Sequence, residues 1–200
     1  MTADGWTERW RGSWLPKRLT NLAGHTGSMT DSVPIVADLH ALLGRTIERL
    51  EAMGVKDEAI ATLRPARRIA FIPRPAVMDA IGRAWRLGVL LVDRDGRLFA
   101  TGGITRAIEL THETVYMNAE ALYRRGLRVA ATRGGFALGD VVNFDVAAIA
   151  LDVVSLRAET GPLSLRGTTV MVRWVAGEGD LGLATLESYL SERMSILAGS

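Results

Sequence analysis

The 200-residue chain has no cysteine. That absence excludes disulfides, thiol nucleophiles and cysteine-ligated zinc or iron–sulfur centres. Lysine is almost missing as well, because all cations except Lys17 and Lys56 are arginine. An excess of one charge is also lacking: 24 Lys plus Arg stand against 22 Asp plus Glu, a net charge of +2. No whole-molecule field therefore draws a polyanion, and nucleic acid is an unlikely partner for the chain as a whole. Long hydrophobic runs are absent too. Val146-Ala147-Ala148-Ile149-Ala150-Leu151 falls far short of the roughly 18 residues of a membrane span, so a soluble, cytoplasmic protein is expected. What is present is apolar material, 48% of residues with a mean hydropathy of +0.15, enough for a sizeable core. The length suits one domain, expected over 31–200 after an irregular or disordered leader at 1–30.

In that leader Trp6, Trp10 and Trp14 recur every four residues beside Arg9, Arg11, Lys17 and Arg18. On a helix they form one aromatic face, a basic anchor for a membrane surface or a partner groove. The plainer alternative is an unfolded segment, and because Met29 opens a fresh Met-Thr-Asp start, residues 1–28 also read as upstream sequence.

From Ser32 the pattern is orderly. Val36, Leu39, Leu43, Ile47 and Leu50 step by three and four residues towards Gly54, predicting a helix over 34–53. A shorter helix is expected over 57–63, then a strand over 68–72 bounded by Pro73 and Pro75. Leu87 to Val92, the turn Asp93-Arg94-Asp95-Gly96 and Arg97 to Thr101 predict a β-hairpin, because Asp-Gly supplies the positive φ a tight turn demands. A helix over 111–125 stopping at Gly126, strands over 142–146, 151–156 and 169–175, and a closing helix through Leu183, Leu186, Leu190, Met194 and Leu197 complete the reading. The expected class is α+β, a mostly antiparallel sheet with helices near both chain ends packed on one face.

Chemical motifs are sparse. Gly177-Glu178-Gly179-Asp180-Leu181-Gly182 fits G-x-G-x-x-G, but the fingerprint also asks for a second parallel strand after the helix and an acid about twenty positions on, neither of which is read in residues 183–200, and two carboxylates would face the pyrophosphate. It reads as a connection in which Asp180 caps a helix. Glu109, His112 and Glu113 put one imidazole and two carboxylates within five residues, and His112 and Glu113 begin an H-E-x-x-H pattern in which Tyr116 stands at the second histidine's place, so a metal would need further ligands such as Asp93, Asp95, Asp140 or Asp145. A solvated helix turn is the simpler account, and neither metal nor cofactor is expected. His25 and His40 lack an orienting neighbour, and no serine sits in a G-x-S-x-G elbow. Between Arg64 and Arg106 nine arginines (64, 67, 68, 74, 83, 86, 94, 97, 106) face three aspartates (79, 93, 95), a local balance of +6. With Trp85 and Phe99 nearby, this basic region is a candidate for binding phosphate or stacking a nucleobase. Arg133 before Gly134-Gly135 is a candidate anion-binding turn.

The stretch from Trp85 to Gly102, with Arg133-Gly134-Gly135-Phe136 and Gly161-Pro162-Leu163-Ser164-Leu165-Arg166, resembles a little-studied bacterial family whose members are sometimes labelled glutaminase. The resemblance covers about 33–200. It implies amide hydrolysis without assigning catalytic residues, and the nucleophiles of known glutaminases are missing: neither lysine follows a serine by three residues, and cysteine is absent. Three hypotheses follow. The first is a non-enzymatic protein that self-associates through apolar surface, the second an amide hydrolase. The third is phosphate or nucleic-acid binding through Arg67, Arg74, Arg83, Arg86, Arg94 and Arg97.

Overall fold

The computed structural model describes residues 32–109, 118–175 and 179–199. The tryptophan stripe, His25, His112, Glu113, Tyr116 and the Gly177-Glu178 end of the glycine motif lie outside them. Along the chain run helix α1 (Ser32–Ala52), then strands β1 (Glu58–Arg64), β2 (Arg67–Ile69), β3 (Ile72–Arg74) and β4 (Val77–Leu87). Strands β5 (Leu90–Val92), β6 (Leu98–Ala100) and β7 (Gly103–Arg106) precede helix α2 (Ala119–Arg133). After β8 (Val141–Phe144), β9 (Ala147–Ile149) and helix α3 (Val153–Arg157) come β10 (Leu163–Arg166), β11 (Thr169–Arg173), β12 (Leu183–Thr185) and helix α4 (Leu186–Ala198). Helices and mostly antiparallel strands make this an α+β chain, and among the described residues no helix is long and apolar enough to cross a membrane.

The described residues divide into two compact units. One comprises 57–84, 101–109 and 118–147. Its strands are ordered β7-β8-β1-β4, antiparallel except for the parallel pair β1–β8. Ala59, Ala61, Met78, Val142 and Phe144 of these strands form a buried cluster with Leu127, Ala130 and Ala131 of α2. The expected helix over 57–63 is therefore a strand. Its Ala-Ile-Ala core is buried between β8 and β4, and ladder hydrogen bonds on both edges override a weak local helical preference.

Helix α2 does not stop at Gly126 as expected but continues to Arg133. Burial of Leu127, Ala130 and Ala131 outweighs the roughly 1 kcal/mol that an interior glycine costs. The actual terminus, Gly134, lies so close to β4 that a Cβ there would overlap the Met78 carbonyl oxygen, whereas a Cβ at Gly126 would meet nothing. Opposite signs follow for one chemical change. Gly134→Ala is expected to destabilise by about 1–2 kcal/mol and Gly126→Ala to stabilise by about 1 kcal/mol, both read from urea midpoints.

The second unit comprises 32–56, 85–100, 148–175 and 179–199. Its core gathers Ile35, Leu39, Leu43 and Leu50 of α1 with Trp85, Leu87, Leu90, Val92 and Leu98, and with Leu186, Tyr189, Leu190 and Met194 of α4. The predicted first helix is present, its stripe rotated slightly onto Ile35. The expected strand over 87–92 is instead two strand ends joined by a tight turn, because Leu87 pairs with Leu90 and Gly88 adopts φ +63°. The turn is pinned by Tyr189, whose hydroxyl accepts from Val89 N (2.9 Å) and donates to the Leu87 carbonyl (3.2 Å). The 93–97 turn and the strands flanking it occur as expected. The strand expected over 151–156 is instead mostly helix α3 (Val153–Arg157), because the Asp152 carboxylate caps it by accepting from Ser155 N (2.9 Å) and Ser155 Oγ (2.7 Å). These bonds, the backbone one first, hold the Asp152 carboxyl below the ordinary aspartate range. Strand β11 is central in the order β10-β11-β12, and a 3₁₀ turn at Gly179–Gly182 leads into β12. Asp180 does not cap α4: Thr185 does, accepting from Ser188 N, while Asp180 pairs with Arg166 at 2.9 Å.

Candidate functional site

Most of the charged residues singled out from the sequence are engaged in holding the fold. Asp93 is 5% exposed, and its carboxylate accepts from Asp95 N (3.0 Å), Arg97 N (2.9 Å) and Arg97 Nε (2.6 Å). Asp95 takes the other arm of the same guanidinium at 3.0 Å. Arg94 pairs with Glu51 and lies 4.9 Å over the Trp85 ring, and half-buried Arg86 also has an interaction partner. In the other unit Arg83 bonds the Asp57 carboxylate and carbonyl (each 2.7 Å), and buried Asn143 donates to Glu58 Oε2 (2.7 Å). Glu109 is exposed, and Arg133 is exposed in the last turn of α2, where Gly134 N turns inward to the Ala130 and Ala131 carbonyls. Among the described residues no three His, Asp or Glu side chains are grouped to hold a metal ion.

One basic feature is not neutralised in this way. Between Glu58 and Asp79 the sequence contains Arg64, Arg67, Arg68 and Arg74 and no acid. Strands β1 and β4 pair up to Arg64↔Val77, and the same register continues through β2 and β3 as Arg67↔Arg74, Arg68↔Pro73 and Ile69↔Ile72. The two short strands are thus the outer half of one ribbon. With β8 paired only to Ala59–Ala61, no strand among the described residues flanks the outer half, which extends about 20 Å beyond Arg64 at ~3.3 Å per residue. Arg64 to Pro75 are exposed at every position whose burial is described.

The strand expected over 68–72 is therefore a hairpin reversing at Ala70-Phe71. Both central residues have positive φ, +45° and +70°, the combination of a type I′ turn. Such turns favour Asn-Gly, and a β-carbon in the left-handed region costs about 1–2 kcal/mol. The Phe71 ring stands at the tip, 98% exposed. Pro65, Pro73 and Pro75 carry no N–H, so the ribbon's edges are poor templates for a further strand.

Arg67 and Arg74 are directly opposed, so their side chains share one face of the ribbon, with Arg68 on the other. Like charges in that position repel. Arg64 is relieved by Asp79 at 2.8 Å, but Arg67, Arg68 and Arg74 have no carboxylate partner among the described residues. They line a shallow concavity of about 530 Å³ with Ala66, Pro73 and Pro75. An anion between the opposed guanidinium groups converts repulsion into two charge-assisted contacts. The sequence put Arg67 and Arg74 in a group with Arg83, Arg86, Arg94 and Arg97, and the structure separates them: the last four are engaged, while the first two have no carboxylate partner among the described residues. Phe71 was missed because Ala-Phe is not turn chemistry. The near-mirror order Arg64-Pro65…Ile69-Ala70-Phe71-Ile72-Pro73-Arg74-Pro75 was the available signal, a symmetric pattern about a two-residue centre.

No family model, curated protein or solved structure matches the chain.

Proposed function

We propose that this protein binds nucleic acid, with the β2–β3 arm as its contact and Arg67, Arg68 and Arg74 on the phosphates. The observation that carries the reading is the Arg67–Arg74 pair, two exposed guanidinium groups placed opposite each other with no acid among the described residues to separate them. The small net charge is no obstacle, because the acids that balance the chain lie elsewhere in its sequence and leave the arm locally cationic. Arginine suits the task, since its planar fork grips phosphate in two-point fashion.

The test is fluorescence anisotropy with a labelled 20-base-pair duplex at increasing salt. Three phosphate contacts give an expected slope of log K against log salt of about −2.7. Replacing all three arginines by serine is expected to weaken binding by about 100-fold at low salt and flatten the slope, with the circular dichroism spectrum unchanged. Arg124→Ala, which removes an arginine paired to Glu120 on α2, is expected to leave affinity unaltered. Equal binding by the triple variant and the native protein overturns the proposal.

A further inference from the structure

We infer that Phe71 is an apolar wedge that enters double-stranded DNA from the minor groove, parts a base step and kinks the duplex while the arm's arginines hold the flanking phosphates. The inference rests on the arm being the nucleic-acid contact and adds which nucleic acid it takes and what it does to it. Phe71 is the most exposed large apolar side chain of the described residues, and its neighbour Ile72 is also exposed. An aromatic ring so placed packs against none of the described residues, and the backbone beneath it is held in a region that disfavours any side chain. A strained position that serves no packing is where a functional reason should be sought.

The arrangement of charge selects the partner. Arg67 and Arg74 stand three residues behind the turn, one on each strand, about 10 Å from the tip at the rise of a β-strand. A wedge with cations on both sides behind it matches insertion into a groove whose two walls are phosphate backbones. Apolar side chains inserted in this way unstack a step and bend the helix, and the bend brings more phosphate within reach. A single strand fits less well, because stacking along it uses successive aromatic side chains and the arm has one. A membrane surface fits less well, because one ring and three guanidinium groups give only a marginal, reversible hold. Addition of a strand from a peptide or a second copy is opposed by the three prolines.

The experiment is end-to-end energy transfer in a doubly labelled 25-base-pair duplex, with anisotropy on the same samples. The native protein is expected to shorten the end-to-end distance and to bind a duplex with a central mismatch about tenfold tighter than a matched one, since a mismatched step is easier to part. Phe71→Ala is expected to retain the salt dependence but to abolish both the shortening and the mismatch preference. Phe71→Leu, which keeps an apolar wedge, is expected to restore both. A Phe71→Ala protein that still bends the duplex overturns the wedge and leaves the arm reading standing; undiminished binding by the triple arginine variant overturns the arm reading itself. Phosphatidylserine vesicles form the third arm of the test. Phe71-dependent binding to them, with no Phe71 effect on DNA, overturns the wedge in favour of a membrane contact.

Discussion

Trp85→Ala is expected to lower folding stability by about 3–5 kcal/mol, the largest effect of any single substitution considered for this chain. The side chain is 1% exposed, among the largest fully buried groups, and sits where β4 enters the second core. Truncation removes most of its contact area and leaves a void lined by neighbours that cannot collapse into it without moving a strand. Two further losses add to the cavity. The indole Nε1 donates to the Val55 carbonyl at 2.7 Å, so alanine leaves that acceptor short of a partner, and Arg94 loses the ring beneath its guanidinium. Trp85→Phe isolates the first of these, keeping most of the volume while deleting the donor, and is expected to cost about 1–2 kcal/mol. Urea unfolding followed by circular dichroism gives both values. A Trp85→Ala midpoint within error of the native one would show that the indole is not a core residue.

Asp93→Ala is expected to cost about 2–3 kcal/mol. The carboxylate satisfies two backbone N–H groups of the 93–97 turn and the Nε of Arg97, and alanine strands the two amides with water only partly able to replace the acceptor. The Arg97 contribution is the smaller part, since that guanidinium is 66% exposed and its pairing is screened. Asp93→Asn separates the parts: it keeps a neutral oxygen for the two amides, loses the charge on Arg97, and is expected to cost only about 1 kcal/mol. Amide proton exchange at Asp95 and Arg97 provides the local readout, accelerated in the alanine variant and nearly native in the asparagine one. Unchanged stability of Asp93→Ala would mean that the turn stands without its carboxylate, reopening a chemical role for that group.

How far the chain could be read from its residues depended on whether the decisive contacts were local. Helix α1 and helix α4 were legible because their apolar positions recur at helical spacing, although Leu183, read into the closing helix, pairs in β12, and the 93–97 turn was legible because Asp-Gly has few other uses. The 57–63 segment was misread, since alanine and leucine serve either structure and only the two strands beside β1 decide between them. Gly126 was misread for a related reason: a glycine is a stop signal in isolation, but the next turn of α2 is anchored by residues from distant strands. Tyr189, which pins the Gly88 turn a hundred positions earlier in the sequence, had no local mark at all.

The candidate site divides in the same way. That arginines crowd residues 64–106 is a fact of composition, visible without coordinates. Which of them are spoken for is not, because Arg83 meets Asp57, Arg94 meets Glu51 and Arg64 meets Asp79 only after strands and helices have been brought together. By itself the sequence determined the balance of charge, the exclusion of thiol chemistry, the α+β class and most of helices α1 and α4, all of which follow from residue type or from periodicity within a dozen positions. Tertiary structure alone decided that β2 and β3 leave the sheet as a two-stranded arm, that Arg67 faces Arg74, and that Phe71 stands at the end. Strand register is set by long-range pairing, and a shift of one residue would turn each of these side chains to the opposite face.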